Sequence, residues 1–194
     1  MTIGIERATI NDFGHLAQFR IMAHGGFNEA LYEDVVPDQA VEDIIQAEFA
    51  QPGTTPFYEN HWIASWDGEI AGGVHVYPWD DMANDPPNPL IPEERYALEE
   101  PCHNLPARGT YYIHALAVYP QHGGKGIGST LLSFARDQAT KYGFTELSLY
   151  VFSQNVGAVA LYERHGYKLV GRQPVVEHPL IRYTGDILLM TRSV

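Results

Sequence analysis

The sequence predicts a mixed α/β fold of the α+β type, with a mostly antiparallel central sheet flanked by helices. A buried strand at residues 115–119 ends at Pro120 and leads through a glycine-rich turn into an amphipathic helix beginning near Ile127. Asp67-Gly68 stands between two alternating apolar runs and is a strong β-hairpin signal. The predicted order of elements along the chain is βααβββαβαββ, which fits a mixed sheet between helices.

The first half of the chain is predicted to contain three strands and two helices. Asn11 or Asp12 caps the first helix, and Gly25-Gly26 breaks the chain after it. The second helix is acidic and carries an apolar stripe on one side. The predicted ranges are residues 3–10 (strand), 13–22 (helix), 38–49 (helix), 61–66 (strand) and 69–77 (strand).

The second half is predicted to contain four strands and two helices. Gly143 follows the longer helix and is suited to the left-handed position that ends a helix. In the strand after it, Leu147, Leu149 and Val151 alternate with other residues and face one side. The predicted ranges are residues 110–119 (strand), 126–142 (helix), 146–152 (strand), 155–165 (helix), 167–170 (strand) and 183–191 (strand).

The segment at about 79–109 has no clear place in this pattern. It is rich in proline, and only residues 92–98 are predicted to form a short helix, with Pro92 near its start. A connection of this length in a compact domain is usually functional or disordered. We therefore expect an atypical insert that forms an acceptor-site lid or a subunit contact.

Composition limits the class of protein. The chain has 194 residues, of which 45% are hydrophobic, so a single domain over residues 1–194 with one sizeable core is expected. There is no run of 18 apolar residues and no signal-peptide pattern at the start, so no membrane partner is expected. Cys102 is the only cysteine, which excludes an intrachain disulfide and fits a cytoplasmic location.

Charge is distributed unevenly along the chain. The net charge is −12; residues 1–109 hold 19 acidic and 4 basic side chains, whereas residues 110–194 hold 5 acidic and 8 basic ones. A chain this acidic is a poor nucleic-acid binder, so no nucleic-acid partner is expected. The mildly cationic half, residues 110–194, suits an anionic ligand, and the acidic half, residues 1–109, would attract a cation. A role of the acidic surface in solubility alone is the other interpretation.

The glycine-rich turn has the features of a phosphate-binding cradle. Gly123, Gly124, Gly126 and Gly128 let the backbone approach a ligand closely, and the helix that follows offers unpaired N–H groups and the positive end of its dipole. The P-loop pattern fails because Lys125 lies between glycines. The dinucleotide-binding pattern GxGxxG is matched only in part, by Gly124 and Gly126, because Ser129 stands at its third glycine. A nucleotide-dependent enzyme that ATP or NAD would stabilise is therefore a minor alternative.

Two separated motifs resemble those of the GCN5-related N-acetyltransferase (GNAT) family. Residues 118–120 followed by 123–128 resemble the family's strand and [RQ]-x-x-G-x-[GA] turn, although Gly123 stands where the family has Arg or Gln. Residues 155–167 resemble its N-x-x-A-x-x-x-Y-x-x-x-G-[FY] pattern. The resemblance covers about 111–172 closely and implies a GNAT-like sheet with acetyl-CoA as cosubstrate.

The resemblance also implies which residues bind acetyl-CoA. The backbone amides of the turn hold the phosphates, and the pantetheine arm pairs with the central strand like an added strand, which requires the strands after Tyr111 and Glu146 to splay apart. Asn155 matches the family position that binds the pantetheine arm, and it is also suited to cap the next helix. No metal ligands are assigned. The predicted cosubstrate-binding residues are Leu116, Ala117, Val118, Gly123, Gly124, Lys125, Gly126, Ile127, Gly128, Ser129, Asn155, Ala158 and Tyr162.

Candidate catalytic residues follow from the same resemblance. Tyr162 matches the family's motif tyrosine and is predicted to protonate the departing sulfur, as its hydroxyl holds its proton at neutral pH. His114 on the central strand is the first candidate for general base and His75 the second, with a water relayed by a carboxylate as a further option. Core packing is the structural alternative for each. Cys102, beside His103, is a minor candidate for a covalent nucleophile.

These features predict an N-acetyltransferase that moves an acetyl group to the primary amine of a small, cationic molecule by direct attack. A non-catalytic acyl-CoA-binding or regulatory module on the same fold is the alternative, since fold alone does not set function. A homodimer is one expected assembly, because family members are often dimers. The identity of the acceptor stays open at this point.

Overall fold

Seven strands form one sheet in the computed structural model, which describes residues 2–194. They span Ile3–Arg7 (β1), His61–Trp66 (β2), Glu69–Pro78 (β3), Tyr111–Val118 (β4), Glu146–Phe152 (β5), Lys168–Pro174 (β6) and Asp186–Ser193 (β7). Their order across the sheet is β1-β2-β3-β4-β5-β7-β6. All neighbouring strands are antiparallel except β4 and β5, which are parallel.

Six α-helices in the described chain cover the two faces of this sheet. They span Phe13–His24 (α1), Phe27–Tyr32 (α2), Val41–Glu48 (α3), Glu100–His103 (α4), Ile127–Lys141 (α5) and Val156–Arg164 (α6). Apolar side chains of α1–α3 and of the 79–109 segment pack in one cluster, and those of α5 and α6 in another. This arrangement confirms the predicted fold class. Between residues 2 and 194, no helix combines the length and apolar character needed to cross a bilayer.

The start of the chain departs from the sequence prediction in its turns. The strand ends at Arg7, and Ile10, expected inside it, lies 66% exposed in a 3-10 turn. Asp12 occupies the predicted N-cap position of α1, but its side chain makes no capping hydrogen bond there. Instead, Thr9 Oγ1 accepts from the Asn11 N–H, and the Asp12 carboxylate accepts from the Thr9 N–H. A local capping box thus overrides strand propensity here.

Other boundaries shift for comparable reasons. The acidic helix begins at Val41 rather than residue 38, because Asp38 adopts a left-handed φ of 60°. The short helix α2 is not in the prediction. The Asp67-Gly68 hairpin and the helix end at Gly143, whose φ is 80°, are confirmed. The last two strands lie at 168–174 and 186–193 rather than 167–170 and 183–191.

The 79–109 segment is structured and packs against the helices of the first half. It contains 3-10 turns at Trp79–Asn84 and Glu93–Glu99, so the short helix predicted at 92–98 takes the tighter form. The Arg95 guanidinium donates to the Leu31 and Glu33 carbonyls at 3.0 and 2.6 Å. These contacts fix the segment beside α2.

A buried ion pair ties α1, α3 and this segment together. The Arg20 guanidinium donates to one Glu48 carboxylate oxygen, and both side chains are nearly buried, at 10% and 13% exposed. The other oxygen accepts from the Tyr32 hydroxyl at 2.6 Å and from the Asn88 amide at 2.8 Å. The charge of Glu48 is therefore fully satisfied by partners from three segments.

Candidate active site

The central sheet opens between β4 and β5. The two strands pair only from Tyr111 to Ile113 and then splay apart, as the expected cosubstrate pairing requires. The Tyr119 N–H donates to the Ala71 carbonyl at 2.8 Å on the β3 side. Because hydrogen bonding alternates along an antiparallel strand, the backbone groups of Leu116 and Val118 face the gap, whereas those of Ala117 face β3.

The turn before α5 presents free backbone donors. Gly124 and Gly126 have φ values of 73° and 81°, and a Cβ at either position would meet only open space within 4 Å. In the described chain, the six N–H groups of residues 124–129 donate to no protein acceptor, and they lie at the start of α5. Free donors, a helix N-terminus and room for a close approach together fit a diphosphate.

One predicted member of this cradle is corrected by the structure. The Gly123 N–H donates to the Pro120 carbonyl at 3.0 Å, so it closes the preceding turn instead of facing a ligand. The Ile127 side chain is 1% exposed in the core, so only its amide is available to a ligand. The Lys125 ammonium lies 5.3 Å from the centre of the Trp66 ring and donates to His122 at 3.2 Å, which keeps its charge beside the turn.

The remaining predicted binding residues lie at the start of α6 and on α5. Asn155 caps α6, since its Oδ1 accepts from the Ala158 N–H at 3.3 Å, and its amide nitrogen stays available to a ligand. The Ser129 hydroxyl lies 2.9 Å from His165 Nε2. The structural role predicted for Asn155 is thus present and leaves the binding role open.

A single cavity of about 750 Å³ connects these features. Its walls come from both faces of the sheet and from the two splayed strands. Because it passes through the gap, it connects the first turn of α5 with the opposite face of the sheet. Predicted site residues that line it are His114, Leu116, Ala117, Val118, Gly128, Asn155, Ala158 and Tyr162.

Tyr162 lines the cavity with a hydroxyl that lacks a protein partner. The residue is only 9% exposed, and no described group accepts from or donates to its hydroxyl. Burial raises its pKa to about 12, so the hydroxyl keeps its proton throughout the neutral range. The neighbouring Tyr167 also lacks a hydrogen bond, but its hydroxyl is sealed from solvent. Of the two, Tyr162 is the one placed to meet a ligand.

His114 lies at an irregularity in β4. Its neighbours Ala115 and Ile113 pair with the consecutive residues His75 and Val76, so His114 is the extra residue of a β-bulge. Bulges re-aim side chains, and this one turns the imidazole towards the end of α1, where its ring centre lies 4.7 Å from that of His24. Burial, followed by the charges of nearby groups, lowers the pKa of His114 well below its usual value. It is therefore a neutral imidazole at neutral pH.

His24 and Glu99 line the same cavity and were not among the predicted site residues. His24 donates from Nδ1 to the Arg20 carbonyl at 2.7 Å, and burial lowers its pKa to about 4. Glu99 is half-buried, makes no hydrogen bond or ion pair with a described group, and has a pKa raised mainly by burial. His24 precedes the predicted Gly25-Gly26 break, but nothing in its spacing marks it, and Glu99 lies in the unassigned segment.

Cys102 also lines the cavity, but its environment opposes a nucleophilic role. Burial, with a smaller contribution from Glu99, raises the pKa of its thiol to about 12. The thiolate, which is the reactive form, is therefore scarce at neutral pH. No group of three or more His, Cys, Asp or Glu side chains in residues 2–194 is arranged to hold a metal ion.

Comparison with known proteins decides the family. The model of the acetyltransferase (GNAT) family matches residues 28–167, which is most of the chain. The chain belongs to the GNAT family. The predicted membership is thus confirmed, and the match includes both sequence motifs.

Individual relatives agree with this assignment. N-acetyltransferase 8B of Homo sapiens is 27% identical over 145 residues, covering 73% of this chain and 50% of the human protein. The chain spans half or less of the length of the curated relatives it matches.

Two solved structures show the same fold over the whole chain. An N-acetyltransferase from Staphylococcus aureus Mu50 superposes with a TM-score of 0.69 at 20% identity, covering 97% of this chain and 100% of the other. The polyamine N-acetyltransferase of Drosophila melanogaster superposes with a TM-score of 0.64 at 16% identity and full coverage of both chains. At these identities the likeness establishes the GNAT fold.

Proposed function

We propose that this protein is an acetyl-CoA-dependent N-acetyltransferase that acetylates a primary amine of a small, cationic acceptor. The observation that carries the proposal is the continuous cavity, which runs from Gly128 in the first turn of α5, beside the free amides of 124–129, to His114 and Tyr162 along the gap in the sheet. The free edge of β4 at Leu116 and Val118 is suited to pair with the amide groups of a pantetheine arm.

The chemistry follows from the protonation states of two side chains. A neutral amine attacks the thioester carbonyl, forming a C–N bond, and passes a proton to the neutral imidazole of His114. The C–S bond then breaks, and the sulfur takes the proton of the Tyr162 hydroxyl. Solvent returns a proton to Tyr162 and removes one from His114, so the net products are the amide and free thiol. Cys102 takes no part, in keeping with its raised pKa.

The acceptor class rests on charge inside the cavity. Glu99 offers a half-buried carboxylate without a cationic hydrogen-bonding partner, and burial raises its pKa because the charges of His103 and Arg20 only partly compensate the desolvated carboxylate. A ligand ammonium would supply that compensation. The Drosophila protein is named for polyamines, but the inference here depends on Glu99 and on the acidic first half of this chain.

Thiol release from acetyl-CoA, measured against a panel of amines, tests the proposal. The panel contains diamines and polyamines, amino acids, aminoglycosides and peptides, and each cation is matched with a monoamine of the same length. Faster release with the dications and polyamines than with the matched monoamines supports the assignment. Absence of release with every amine, while acetyl-CoA raises the melting temperature, would instead indicate the binding-module alternative.

Glu99→Gln, compared with Glu100→Gln, tests the acceptor class. Hydrogen bonds to charged groups contribute about 1.5–3 kcal/mol, so Glu99→Gln should lower kcat/KM for dications roughly 10- to 100-fold and leave matched monoamines unaffected. Glu100 is the next residue, is exposed, and does not line the cavity, so Glu100→Gln should match the wild type. Equal losses for dications and monoamines would contradict the role given to Glu99.

A further inference from the structure

Two histidines form a hydrogen-bonded pair behind the cavity wall. His114 Nδ1 and His75 Nδ1 lie 3.0 Å apart, across the β3–β4 bulge. One of these nitrogens must carry a proton and the other a lone pair, because two lone pairs or two N–H groups would repel. The position of that proton determines whether the other ring nitrogen of His114, Nε2, carries a proton or a lone pair.

The other side of His75 settles the question. Its Nε2 lies 2.8 Å from the Thr55 carbonyl oxygen, which only accepts hydrogen bonds, so Nε2 carries the proton. His75 is 3% exposed and surrounded by other rings, and burial keeps it neutral. A neutral His75 with its proton on Nε2 has a lone pair on Nδ1. His114 therefore donates from its own Nδ1–H, which leaves its Nε2 unprotonated.

We propose that His75 is a positioning residue that fixes His114 in the tautomer with a free Nε2 lone pair, which is the form a general base needs. Nε2 of His114 has no protein partner and is not among the buried unpaired atoms, so it is open to the cavity. The catalytic importance of this tautomer rests on the proposed function, whereas the tautomer itself does not.

The carbonyl that orients His75 is itself held in place. The Asp85 carboxylate accepts from the Thr55 N–H at 2.9 Å and from the Thr55 hydroxyl. Asp85 belongs to the 79–109 segment, so this segment supports the base through three successive hydrogen-bonded residues. A polar chain thus runs from Asp85 through Thr55 and His75 to His114.

Other ionisable groups surround the pair without taking part in this chain. His61 stacks on His75 at 3.8 Å between ring centres, and the rings of His24, Tyr77 and Tyr112 lie 4.7 to 5.8 Å from that of His114. Arg20 lies near enough for its charge to disfavour protonation of both His75 and His114. None of them hydrogen-bonds to a ring nitrogen of His75 or His114. His61 is therefore a suitable control, since it shares the stack but not the chain.

The tautomer is read directly from the ring-nitrogen NMR spectrum of protein labelled with 15N-histidine at pH 7.5, without acetyl-CoA or amine. The signals of His114 are assigned by their loss in His114→Gln. In the wild type we expect a protonated Nδ1 and an unprotonated Nε2. His75→Phe should abolish this preference, and His61→Phe should preserve it. Asp85→Asn, which alters no apolar side chain, should shift the spectrum partway towards that of His75→Phe.

Kinetics add the functional consequence. Outer partners that orient metal-ligating histidines typically contribute 10- to 100-fold to activity, and by analogy His75→Phe should lower kcat by about that factor with little change in the KM for acetyl-CoA. A wild-type His114 protonated on Nε2, or an unchanged His114 tautomer in folded His75→Phe, would overturn the proposal. Because the spectrum is recorded on resting protein, its result stands apart from any failure to find an acetyl acceptor.

Discussion

Replacing Tyr162 with Phe gives the most direct test of the proposed chemistry. The change removes one oxygen that has no protein hydrogen-bond partner and that reaches the cavity. Stability should therefore change by no more than about 0.5 kcal/mol, since neither a buried polar group nor a packed apolar group is lost. Any large loss of turnover must then come from the missing proton donor.

The size of that loss is limited by the leaving group. General acid catalysis usually contributes 10²–10⁴-fold. Burial raises the pKa of Tyr162 to about 12, whereas an unperturbed cysteine-type thiol has a pKa of about 8.5. The thiolate is thus a good leaving group even without help, and transfer of the tyrosine proton to it is uphill by roughly 3.5 pKa units. We expect the low end of the range, about a 10²-fold fall in kcat, or ~2.7 kcal/mol on the barrier.

The assay compares Tyr162→Phe with Tyr167→Phe. Tyr167 belongs to the same motif, and its hydroxyl also lacks a partner, but it is sealed away from solvent and does not line the cavity. Thiol release is measured at saturating acetyl-CoA, and acetyl-CoA binding is measured separately by calorimetry. Unchanged binding with a 10²-fold loss of kcat in Tyr162→Phe alone is the expected result. Full turnover in Tyr162→Phe, or an equal loss in both variants, would refute the assignment of Tyr162 as the acid.

Three further predictions concern the cradle, acid stability and the buried ion pair. Gly126→Ala should weaken acetyl-CoA binding, measured by calorimetry. Gly143 has the same φ of about 80°, so Gly143→Ala should cause the same backbone strain of about 1–2 kcal/mol without weakening acetyl-CoA binding. Burial lowers the pKa of His24 to about 4, so between pH 6.5 and 4 the unfolded chain binds the extra proton. His24 should then contribute a fall of up to ~1.4 kcal/mol per pH unit to the free energy of unfolding from urea titrations, a contribution that is absent above pH 6.5. His24→Asn should lose this contribution and keep the fall caused by the buried His61, His75 and His114, whose pKa values are also lowered. Glu48→Ala should destabilise the fold by about 3–5 kcal/mol by leaving Arg20 buried and unpaired, and an intact chemical-denaturation midpoint would disprove this.

Much of the architecture was accessible from the sequence because its signals are local. The Asp67-Gly68 turn, the glycine-rich stretch before α5 and the Asn155 cap each depend on a few consecutive residues. The splay between β4 and β5 was predicted only as a requirement of the family resemblance. No local pattern in Tyr111–Val118 indicates where pairing stops.

The parts that the sequence did not indicate depend on contacts between distant residues. His75 and His114 were named as separate candidates for a base, but their hydrogen bond depends on a bulge that shifts the register of β4 by one residue. Glu99 could not be assigned while the 79–109 segment had no recognised structure. Its place in the cavity depends on the packing of its segment against α2 and α3, through contacts between residues 40 and 64 positions apart.

The narrow junction between β4 and β5 also affects how the protein holds together. Three residue pairs connect a four-stranded half of the sheet to a three-stranded half, and beyond them the edges of both strands lack a protein neighbour. A cosubstrate lying in that opening would complete the sheet as well as react in it. Binding would then stabilise the contact between the two halves of the sheet. Amide hydrogen exchange along β4 and β5 should therefore slow when the opening is filled.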